Sequence, residues 1–327
     1  MGLFGKKGTS DRANRKRILF ATDLHGSEFT FSKLLKVLDL WSPDALILGG
    51  DVAGKGLLPV LVEGDSARMR WMGEENVVPL SEIGEYEARA NQLGFYPIRV
   101  DSHGLERLHS DEEFKDEEFE RLMFERWADW LERLNARCEE LRIPAYVIAG
   151  NDDPWALDEL SEMERSWVQG ADGKVVPLLD DWTLVSIGLA NATPWGCPRD
   201  VSEERLGDEL DQLAGQVTDF DRVIANIHVP PYGSALDLAP ELDTSVDPPR
   251  PITGSTVPVG STAVRAFLEE RQPLLSLHGH IHESPGAVDI GRTKAINPGS
   301  EFAEGILRGV LVTIEPNRVI GHQFVSG

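Results

Sequence analysis

Short apolar segments that end at a polar, chemically reactive residue recur along this sequence, and they constrain its fold more than any other feature. A helical spacing of apolar residues from Phe31 to Trp41 separates the first two of them. Alternation of buried strands with helices predicts an α/β domain whose ligands lie at the carboxyl ends of its strands. The segments are Arg17 to Ala21, Ala45 to Leu48, Ala145 to Ala149, Val223 to Ile227 and Leu274 to Leu277.

Two stretches interrupt this alternation. The first, at about 55–142, combines a segment without strong periodicity with a charged helix from about Asp111 to Arg142. The second, from Pro230 to Pro258, is rich in proline, which lacks a backbone N–H, and we therefore expect it to be a loop. The sequence has no internal repeat and no interdomain linker, so we expect one domain over residues 17–327 with a helical insertion.

Length, apolar content and cysteine usage narrow the class of protein. The 327 residues, 41% of them apolar, are enough for a folded domain with a sizeable core. No apolar run approaches the roughly 20 residues that span a bilayer, and the first residues lack the apolar stretch of a secretory signal, so we expect a cytoplasmic protein. Cys138 and Cys197 are far apart in the sequence and are interpreted as packing residues, not as a disulfide or a zinc site.

The charge of the chain favours a small phosphate ester over nucleic acid as the partner. A formal net charge of −23 repels a phosphate backbone over most of the surface. A small ester can still bind where divalent cations concentrate positive charge at one spot. The one basic cluster is interpreted as a solvated, flexible tail over residues 1–16, with an anionic partner or membrane surface as the alternative. It consists of Lys6, Lys7, Arg12, Arg15, Lys16 and Arg17.

Each apolar segment is followed by residues that can bind a metal ion. Carboxylate and imidazole ligands together suit manganese, iron, zinc, cobalt or nickel, because nitrogen donors select against calcium and magnesium. Seven ligands are too many for one four-coordinate ion, so we expect two divalent ions, with the carboxylate of Asp51 as the bridge. Such a pair can bind a hydroxide for in-line attack on phosphorus. The predicted ligands are Asp23, His25, Asp51, Asn151, His228, His280 and His282.

The order and spacing of these residues resemble the calcineurin-like metallophosphoesterase superfamily, whose motifs run Asp-x-His, Gly-Asp, Gly-Asn-His-Asp/Glu, His and Gly-His-x-His. The resemblance covers about residues 17–300 and implies a four-layer sandwich of two mixed β-sheets flanked by helices. It implies one metal ion on Asp23, His25 and His282. It implies a second ion on Asn151, His228 and His280, with Asp51 shared.

Later segments are similar to a prokaryotic group described as Icc-related predicted phosphoesterases. The segments are His228-Val-Pro-Pro-Tyr-Gly, Leu236-Asp-Leu-Ala-Pro240, His278-Gly-His-Ile-His-Glu-Ser284 and Asn297-Pro-Gly-Ser-Glu301. Several neighbours of the ligands are expected to support the site without binding metal. They are His278 as a structural residue, Asp153 as a hydrogen-bonding support, Asn297 and Ser300 in a turn, and Gly50, Gly150 and Gly279 as backbone room.

The sequence departs from the family at Asp152, where members that cleave phosphomonoesters usually have a histidine that protonates the leaving oxygen. An aspartate beside two cations has a lowered pKa and is a poor general acid near neutral pH. It also repels the extra negative charge of a monoester, so we expect phosphodiester hydrolysis. The candidate catalytic residues are Asp51, His228 and Asp152, the last of which positions water, supports a metal ion or has no role.

A second class of function stays open. Some relatives, such as the scaffold subunit of retromer, have lost this histidine and use the fold to bind proteins. A non-catalytic metal-binding scaffold is therefore the alternative. All seven ligand positions are chemically intact, which favours an enzyme, whereas the acidic surface and the missing histidine disfavour a nuclease. The sequence does not define the oligomeric state.

Overall fold

The structure, a computed structural model, describes residues 15–180, 182–246 and 249–327. Its helices are α1 (Glu28–Trp41), α2 (Ile83–Gln92), α3 (Ser102–Ser110), α4 (Glu112–Leu141), α5 (Leu157–Glu162), α6 (Glu203–Ala214) and α7 (Thr262–Arg271). Its strands are β1 (Lys16–Ala21), β2 (Ala45–Gly49), β3 (Gly56–Glu63), β4 (Ser66–Trp71), β5 (Glu74–Pro79), β6 (Phe95–Val100), β7 (Ala145–Ile148), β8 (Val168–Gly170), β9 (Lys174–Leu178), β10 (Trp182–Ile187), β11 (Ala190–Asn191), β12 (Asp200–Val201), β13 (Val223–Ile227), β14 (Leu238–Asp243), β15 (Arg250–Pro258), β16 (Leu275–Leu277), β17 (Gly286–Ile290), β18 (Thr293–Asn297), β19 (Arg308–Glu315) and β20 (Arg318–Ser326). Among the helices described, none has the length and apolar character needed to cross a membrane.

Two six-stranded mixed sheets form the centre of the fold. The first has the order β20-β19-β1-β2-β7-β8, in which β1, β2, β7 and β8 are parallel and β19 is antiparallel to both of its neighbours, β1 and β20. The second has the order β17-β18-β16-β13-β10-β9, with parallel inner strands and antiparallel outer strands. The five apolar segments predicted as strands form β1, β2, β7, β13 and β16, each within one residue of the predicted bounds.

Alternate side chains of the central strands enter two different cores, which explains why these strands are apolar throughout. Ile18 and Phe20 pack between the two sheets, whereas Leu19 and Ala21 pack under α1 and α4. Helices α6 and α7 cover the outer face of the second sheet in the same way. The layers are therefore helix, sheet, sheet and helix, which confirms the expected sandwich.

The insertion at 55–142 contains a sheet as well as helices. Strands β3 to β6 form a four-stranded sheet in the order β5-β4-β3-β6, and α2, α3 and α4 follow its strands or pack beside it. The expectation of a helical insertion was therefore incomplete. A short alternation was present in β4, where Ala67 and Met69 are buried and Arg68 and Arg70 are exposed, but six residues gave too weak a pattern.

The prediction of a loop from Pro230 to Pro258 was wrong for much of its length. Strands β14 and β15 pair as an antiparallel hairpin within it. Pro240 and Pro258 lie inside these strands, because each strand of a two-stranded ribbon has a free edge that does not need an N–H donor. Proline content alone was therefore insufficient evidence for a loop.

The expected basic tail lies almost wholly outside the described residues. Lys6, Lys7 and Arg12 are outside them, and Arg15, at their beginning, has its Nε 2.7 Å from Oε1 of Glu315. The division into a tail over residues 1–16 and one domain over 17–327 stays a prediction.

Candidate metal centre

The structure brings all seven predicted ligands together at one edge of the sandwich. Neighbouring parallel strands end at the same edge, so the loops that follow β1, β2 and β7 converge there and meet the loops that follow β13 and β16. Both sheets contribute side chains. The first contributes Asp23, His25, Asp51 and Asn151, and the second contributes His228, His280 and His282.

Asp23, His25, Asp51 and His282 form a first group, in which one potential ligand atom of each lies within 4.8 Å of the others. His25 Nε2 lies 3.1 Å from His282 Nε2, and the latter lies 3.2 Å from Asp23 Oδ1. His25 Nε2 also lies 3.6 Å from Asp51 Oδ2. Two imidazole nitrogens and two carboxylate oxygens thus point at one common space.

Asp51, His228 and His280 form a second group, which Asn151 joins through its side-chain oxygen. His228 Nε2 lies 3.4 Å from Asp51 Oδ1 and 3.2 Å from Asn151 Oδ1, and His280 Nδ1 lies 2.8 Å from the same amide oxygen. His228 Nδ1 is 2.8 Å from the carbonyl oxygen of Gly49, so a proton on Nδ1 leaves Nε2 free to act as a ligand. Asp51 therefore directs one oxygen to each group, as a bridging carboxylate would.

This donor set fits divalent transition-metal ions, because each group combines imidazole nitrogen with carboxylate or amide oxygen. Burial lowers the pKa of His228, but the carboxylates of Asp51 and Asp23 outweigh burial and raise that pKa to about 10. The same negative potential attracts metal cations. The cluster is thus able to hold metal.

Four of the seven residues have a backbone conformation that is rare outside glycine. Their φ angles are 53° at Asp23, 43° at His25, 50° at Asp51 and 66° at His280. The left-handed region costs such residues on the order of 1 kcal/mol each. Backbone strain at four residues whose side chains converge on one space supports a functional role for that space.

The residues expected to support the site do so. His278 is fully buried, with Nδ1 2.8 Å from the Ile227 carbonyl oxygen and Nε2 2.8 Å from Ser276 Oγ. Burial lowers the pKa of His278 to about 4, so this histidine is neutral. Ser300 Oγ donates to the Asp23 carbonyl oxygen at 2.7 Å. Asn297 Oδ1 accepts from Gly299 N at 2.8 Å, and Asn297 Nδ2 donates to the Ile281 carbonyl oxygen at 2.8 Å.

Asp153 and the glycines beside the ligands also have the predicted roles. The carboxylate of Asp153 accepts backbone hydrogen bonds from Val52, Ala53 and Gly150 at 2.7–3.0 Å. A Cβ atom at Gly150 would lie 2.2 Å from Asp51 Oδ1, and one at Gly279 would lie 2.3 Å from Asp23 Oδ2. One at Gly50 would lie 2.8 Å from the backbone of Gly150.

Asp152 makes contacts that the sequence did not indicate. Its Oδ2 lies 2.7 Å from Lys55 Nζ, its Oδ1 accepts a hydrogen bond from Cys197 Sγ at 2.8 Å, and its backbone N–H donates to Asp51 Oδ1 at 3.0 Å. Burial raises the pKa of Asp152, but the ammonium group of Lys55, together with His25 and the hydrogen bond from Cys197, outweighs burial and holds that pKa well below its usual range. Asp152 is thus ionised, as expected, but beside a lysine. The interpretation of Cys197 as a packing residue was wrong, because its thiol contacts the site.

Lys55 was missed although the sequence contained a signal for it. It lies between Gly54 and Gly56, four residues after Asp51 in the loop that follows a Gly-Asp motif. A lysine in a glycine-flanked loop beside a predicted metal ligand is a candidate for anion binding.

Arg199 anchors the side of the site that carries Asn151. Its backbone N–H donates to the Asn151 carbonyl oxygen at 3.1 Å, and its fully buried guanidinium donates to the Asp153 carbonyl oxygen at 2.9 Å. The guanidinium also forms ion pairs with Asp158 at 2.7 Å and with Asp172 at 3.1 Å. These contacts join the loop before β12 to the loop after β7.

Asp200, the next residue, orients the amide of Asn151. Asn151 Nδ2 donates to Asp200 Oδ1 at 3.0 Å, and this contact directs the amide oxygen of Asn151 toward His228 and His280. Asp200 was also missed, because it lies 49 residues from Asn151 and belongs to no motif.

The insertion anchors the opposite side of the site. Arg126 on α4 donates to the carbonyl oxygens of Gly26 at 2.8 Å and Phe95 at 3.0 Å, and its guanidinium carbon lies 3.8 Å from the centroid of the Tyr96 ring. Tyr96 Oη accepts a hydrogen bond from the backbone N–H of Gly54 at 3.0 Å. The loops after β1 and β2 are therefore both attached to the insertion.

Three glycines allow the backbones of these segments to touch. A Cβ atom at Gly54 would lie 2.0 Å from the Gly94 carbonyl oxygen, and one at Gly94 would lie 2.2 Å from the His25 carbonyl oxygen. One at Gly26 would lie 2.8 Å from the nitrogen of Gly54. Side chains larger than hydrogen do not fit at this junction.

A comparison with protein families agrees with the geometry of the site. A family model for calcineurin-like phosphoesterases matches residues 109–284, which is more than half of the chain. The matched part includes the four ligands Asn151, His228, His280 and His282, and the other three precede it.

Individual relatives are more distant. The uncharacterized protein MJ1162 of Methanocaldococcus jannaschii is 29% identical over 154 residues, which cover 46% of this chain and 62% of that protein. The chain thus matches less than two thirds of the length of this curated relative. One crystal structure superposes with a TM-score of 0.53 and 17% identity over 96% of this chain and 98% of that one. The crystal structure of TT1561 from Thermus thermophilus gives a TM-score of 0.51 and 13% identity over 92% and 98% of the two chains. At such identities these two structures support the fold alone.

Proposed function

This chain belongs to the calcineurin-like phosphoesterase family, and we propose that it is a phosphodiesterase that uses two divalent transition-metal ions. The proposal depends above all on Asp51, whose two carboxylate oxygens face two separate groups of ligand atoms. When bound, two such cations lower the pKa of water and neutralise the oxygens of a phosphate group. The proposed ligands are Asp23, His25, Asp51, Asn151, His228, His280 and His282.

The exposure of the side chains indicates where an ester enters. Asp23, His25 and Asp51 are at most 3% exposed. In contrast, Lys55 is 50% exposed and Asp152 is 22% exposed. His282 is 21% exposed, so the open side of the centre includes Lys55, Asp152 and His282, and the ester enters from that side. There a hydroxide oxygen bonds to phosphorus, the bond from phosphorus to the leaving oxygen breaks, and the leaving group departs as an anion.

The residue after Asn151 supports a diester as the substrate. Ionised Asp152 has no proton to give to a leaving oxygen, so leaving groups that are stable as anions are favoured. The charge repulsion that we expected between Asp152 and a monoester is weaker than the sequence suggested, because Lys55 offsets it at 2.7 Å. The preference for diesters thus depends on the leaving group and not on charge. A non-catalytic metal-binding scaffold stays the alternative.

The proposal is tested on the full chain reconstituted with manganese. Metal content is measured by elemental analysis, and turnover is compared for an aryl phosphodiester, an aryl monoester and an alkyl monoester. We expect close to two ions per chain and the fastest turnover with the aryl diester. A protein that holds two ions and cleaves none of these esters would instead support the scaffold. Faster cleavage of the alkyl monoester would contradict the assignment of Asp152.

A further inference from the structure

Lys55 places an ammonium group at the entrance of the metal centre, where the proposed chemistry gives it no role. Its Nζ lies 2.7 Å from Asp152 Oδ2, and its side chain is half exposed, whereas Asp23 and His25 are at most 1% exposed. Burial lowers the pKa of Lys55, but the carboxylates of Asp152 and Asp51 outweigh burial and raise it. Lys55 is therefore a permanent cation.

We propose that Lys55 binds an oxygen of the substrate phosphate and stabilises the negative charge that develops there during hydrolysis. This role rests on the proposed phosphoesterase activity and makes Lys55 a further catalytic residue. An ammonium group is a compact charge with three N–H donors, and lysine is a common ligand of phosphate. Within the described residues, Asp152 is the ion-pair partner of Lys55, and the remaining donors are available to an anion at the exposed side.

The surroundings of Lys55 hold it in place for this role. Asp152 is fixed by the thiol of Cys197 on one oxygen and by its own backbone bond to Asp51, so it acts as a positioning residue for the ammonium group. The residue before Lys55, Gly54, is held by the hydroxyl of Tyr96. An anchored cation loses little freedom when phosphate binds, which is the condition for electrostatic stabilisation of a transition state.

A simpler role is conceivable, in which Lys55 only offsets the charge of Asp152. Half-exposed ion pairs contribute little to stability, so folding alone gives no reason to place a lysine at the entrance. The two roles differ in what happens when both charges are removed together. This difference provides the test.

The test measures binding of inorganic phosphate by calorimetry to the manganese-loaded full chain, alongside turnover of an aryl phosphodiester. For Lys55→Met we expect the phosphate dissociation constant to rise at least about 10-fold and kcat/KM to fall by about 10²-fold. Lys55→Arg should retain part of the phosphate affinity and part of kcat/KM. The matched control is Lys294→Met, which removes a lysine on β18 that pairs with Asp289 on β17. It should leave the phosphate dissociation constant and kcat/KM unchanged.

Lys55→Met also leaves Asp152 unpaired, and the double variant Lys55→Met/Asp152→Asn separates the two effects. If Lys55 contacts phosphate, the double variant still binds phosphate more weakly than the wild type, although it lacks the negative charge of Asp152. Recovery of wild-type binding in the double variant would overturn the proposal, as would wild-type binding by Lys55→Met itself. Phosphate binding is compared at equal metal content, measured in each sample.

Failure of the proposed function can be told apart from failure of this inference. A wild-type chain that binds manganese and phosphate but cleaves no ester refutes the phosphoesterase activity, while the phosphate affinities of the variants still decide whether Lys55 binds the anion. A manganese-loaded wild-type chain that binds no phosphate overturns the role of Lys55 directly.

Discussion

The two sides of the metal centre are held by a fully buried arginine, Arg199, and a partly buried one, Arg126, in different electrostatic settings. Arg199 pairs with the carboxylates of Asp158 and Asp172 beside the loop that carries Asn151. Arg126 donates to neutral oxygens, including the carbonyl oxygen of Gly26, beside the loop that carries His25.

Because of this difference, removal of Arg199 and removal of Arg126 should have different consequences. Loss of Arg199 leaves the partly exposed carboxylates of Asp158 and Asp172 without a counter-charge, which is costly. Carbonyl oxygens left behind at the other side lose a hydrogen bond and can be hydrated if water reaches them. Loss of the arginine should therefore destabilise the protein more on the side that carries Asn151 than on the side attached to the insertion.

The largest effect is expected for Asp51→Asn, which removes the residue shared by both sides. A neutral amide cannot bridge two cations, so we expect both ions to bind more weakly and activity to fall by at least roughly 10²-fold. Elemental analysis and turnover measure this. Asp289→Asn, at an exposed aspartate remote from the site, should change neither. Loss of only one ion in Asp51→Asn would mean that the two groups do not share this carboxylate.

Arg199→Met should produce the next largest effect, on stability. The guanidinium of Arg199 is fully buried, but its partners Asp158 and Asp172 are 38% and 22% exposed, so its loss should cost less than the roughly 3–5 kcal/mol of a fully buried pair and more than an exposed one. Thermal and denaturant unfolding of the metal-free chain measure the loss. Arg99→Met removes an exposed pair with Glu87 and should cost less than about 1 kcal/mol. Equal losses in the two variants would contradict a special role for Arg199.

The cost of Arg199→Met should also depend on pH. Burial raises the pKa of Asp172 to about 6, although Arg199 lowers it, so this pKa lies above its unfolded value and rises further in the variant. Below about pH 6 the carboxyl group of Asp172 is protonated in both folded proteins, so the substitution lowers the free energy of unfolding by less. As the pH rises through 6, Asp172 ionises beside Arg199 in the wild type. In the variant, Asp172 either keeps its proton or ionises without a counter-charge. The free energies of unfolding of the wild type and Arg199→Met, measured at about pH 5.5 and about pH 8, should differ more at the higher pH.

A smaller effect is expected for Arg126→Met. The lost hydrogen bonds and ring contact together are worth about 2 kcal/mol. Metal titration should show weaker binding to the group that contains Asp23, His25 and His282, with the other group less affected. Arg107 lies 3.8 Å over the ring of Phe114 in the same insertion, so Arg107→Met is a matched control for the ring contact. Equal weakening of both metal groups would contradict the separation of the two sides.

The smallest effect is expected for Tyr96→Phe, which removes one hydrogen-bond acceptor from the backbone N–H of Gly54. The cost in stability should be about 1 kcal/mol. Because Lys55 follows Gly54, we expect KM for a phosphodiester to rise several-fold while the metal content stays constant. A fall in metal content with unchanged KM would mean that Tyr96 supports the ligands and not Lys55.

The strands and the predicted ligands could be found from the sequence because each leaves a local pattern. A buried parallel strand is a short apolar run, and Asp51 or His228 directly follows such a run. The role of these residues as metal ligands stays a prediction. The hairpin of β14 and β15 was missed because the rule against proline in strands does not hold at free edges.

The anchoring residues left no such pattern. Arg199 is 46 residues from Asp153, and Arg126 is 100 residues from Gly26, so their contacts depend on the folded chain. An arginine with partners this distant looks like any surface arginine in the sequence. Lys55 is the exception, because its two flanking glycines were visible beside a predicted ligand.

The contact among Gly26, Gly54 and Gly94 limits how this protein can be re-engineered or can diverge. Insertions are usually treated as modules that can be shortened or exchanged at their ends. Here Gly94, inside the insertion, touches the backbone of His25 and of Gly54 with no space for a side chain. A chimaera that replaces residues 55–142 would remove Gly94 and Arg126, so the graft must supply a glycine at the position of Gly94 and its own donor for the carbonyl oxygen of Gly26. Sequence changes at these three glycines should therefore be correlated among relatives that carry the insertion.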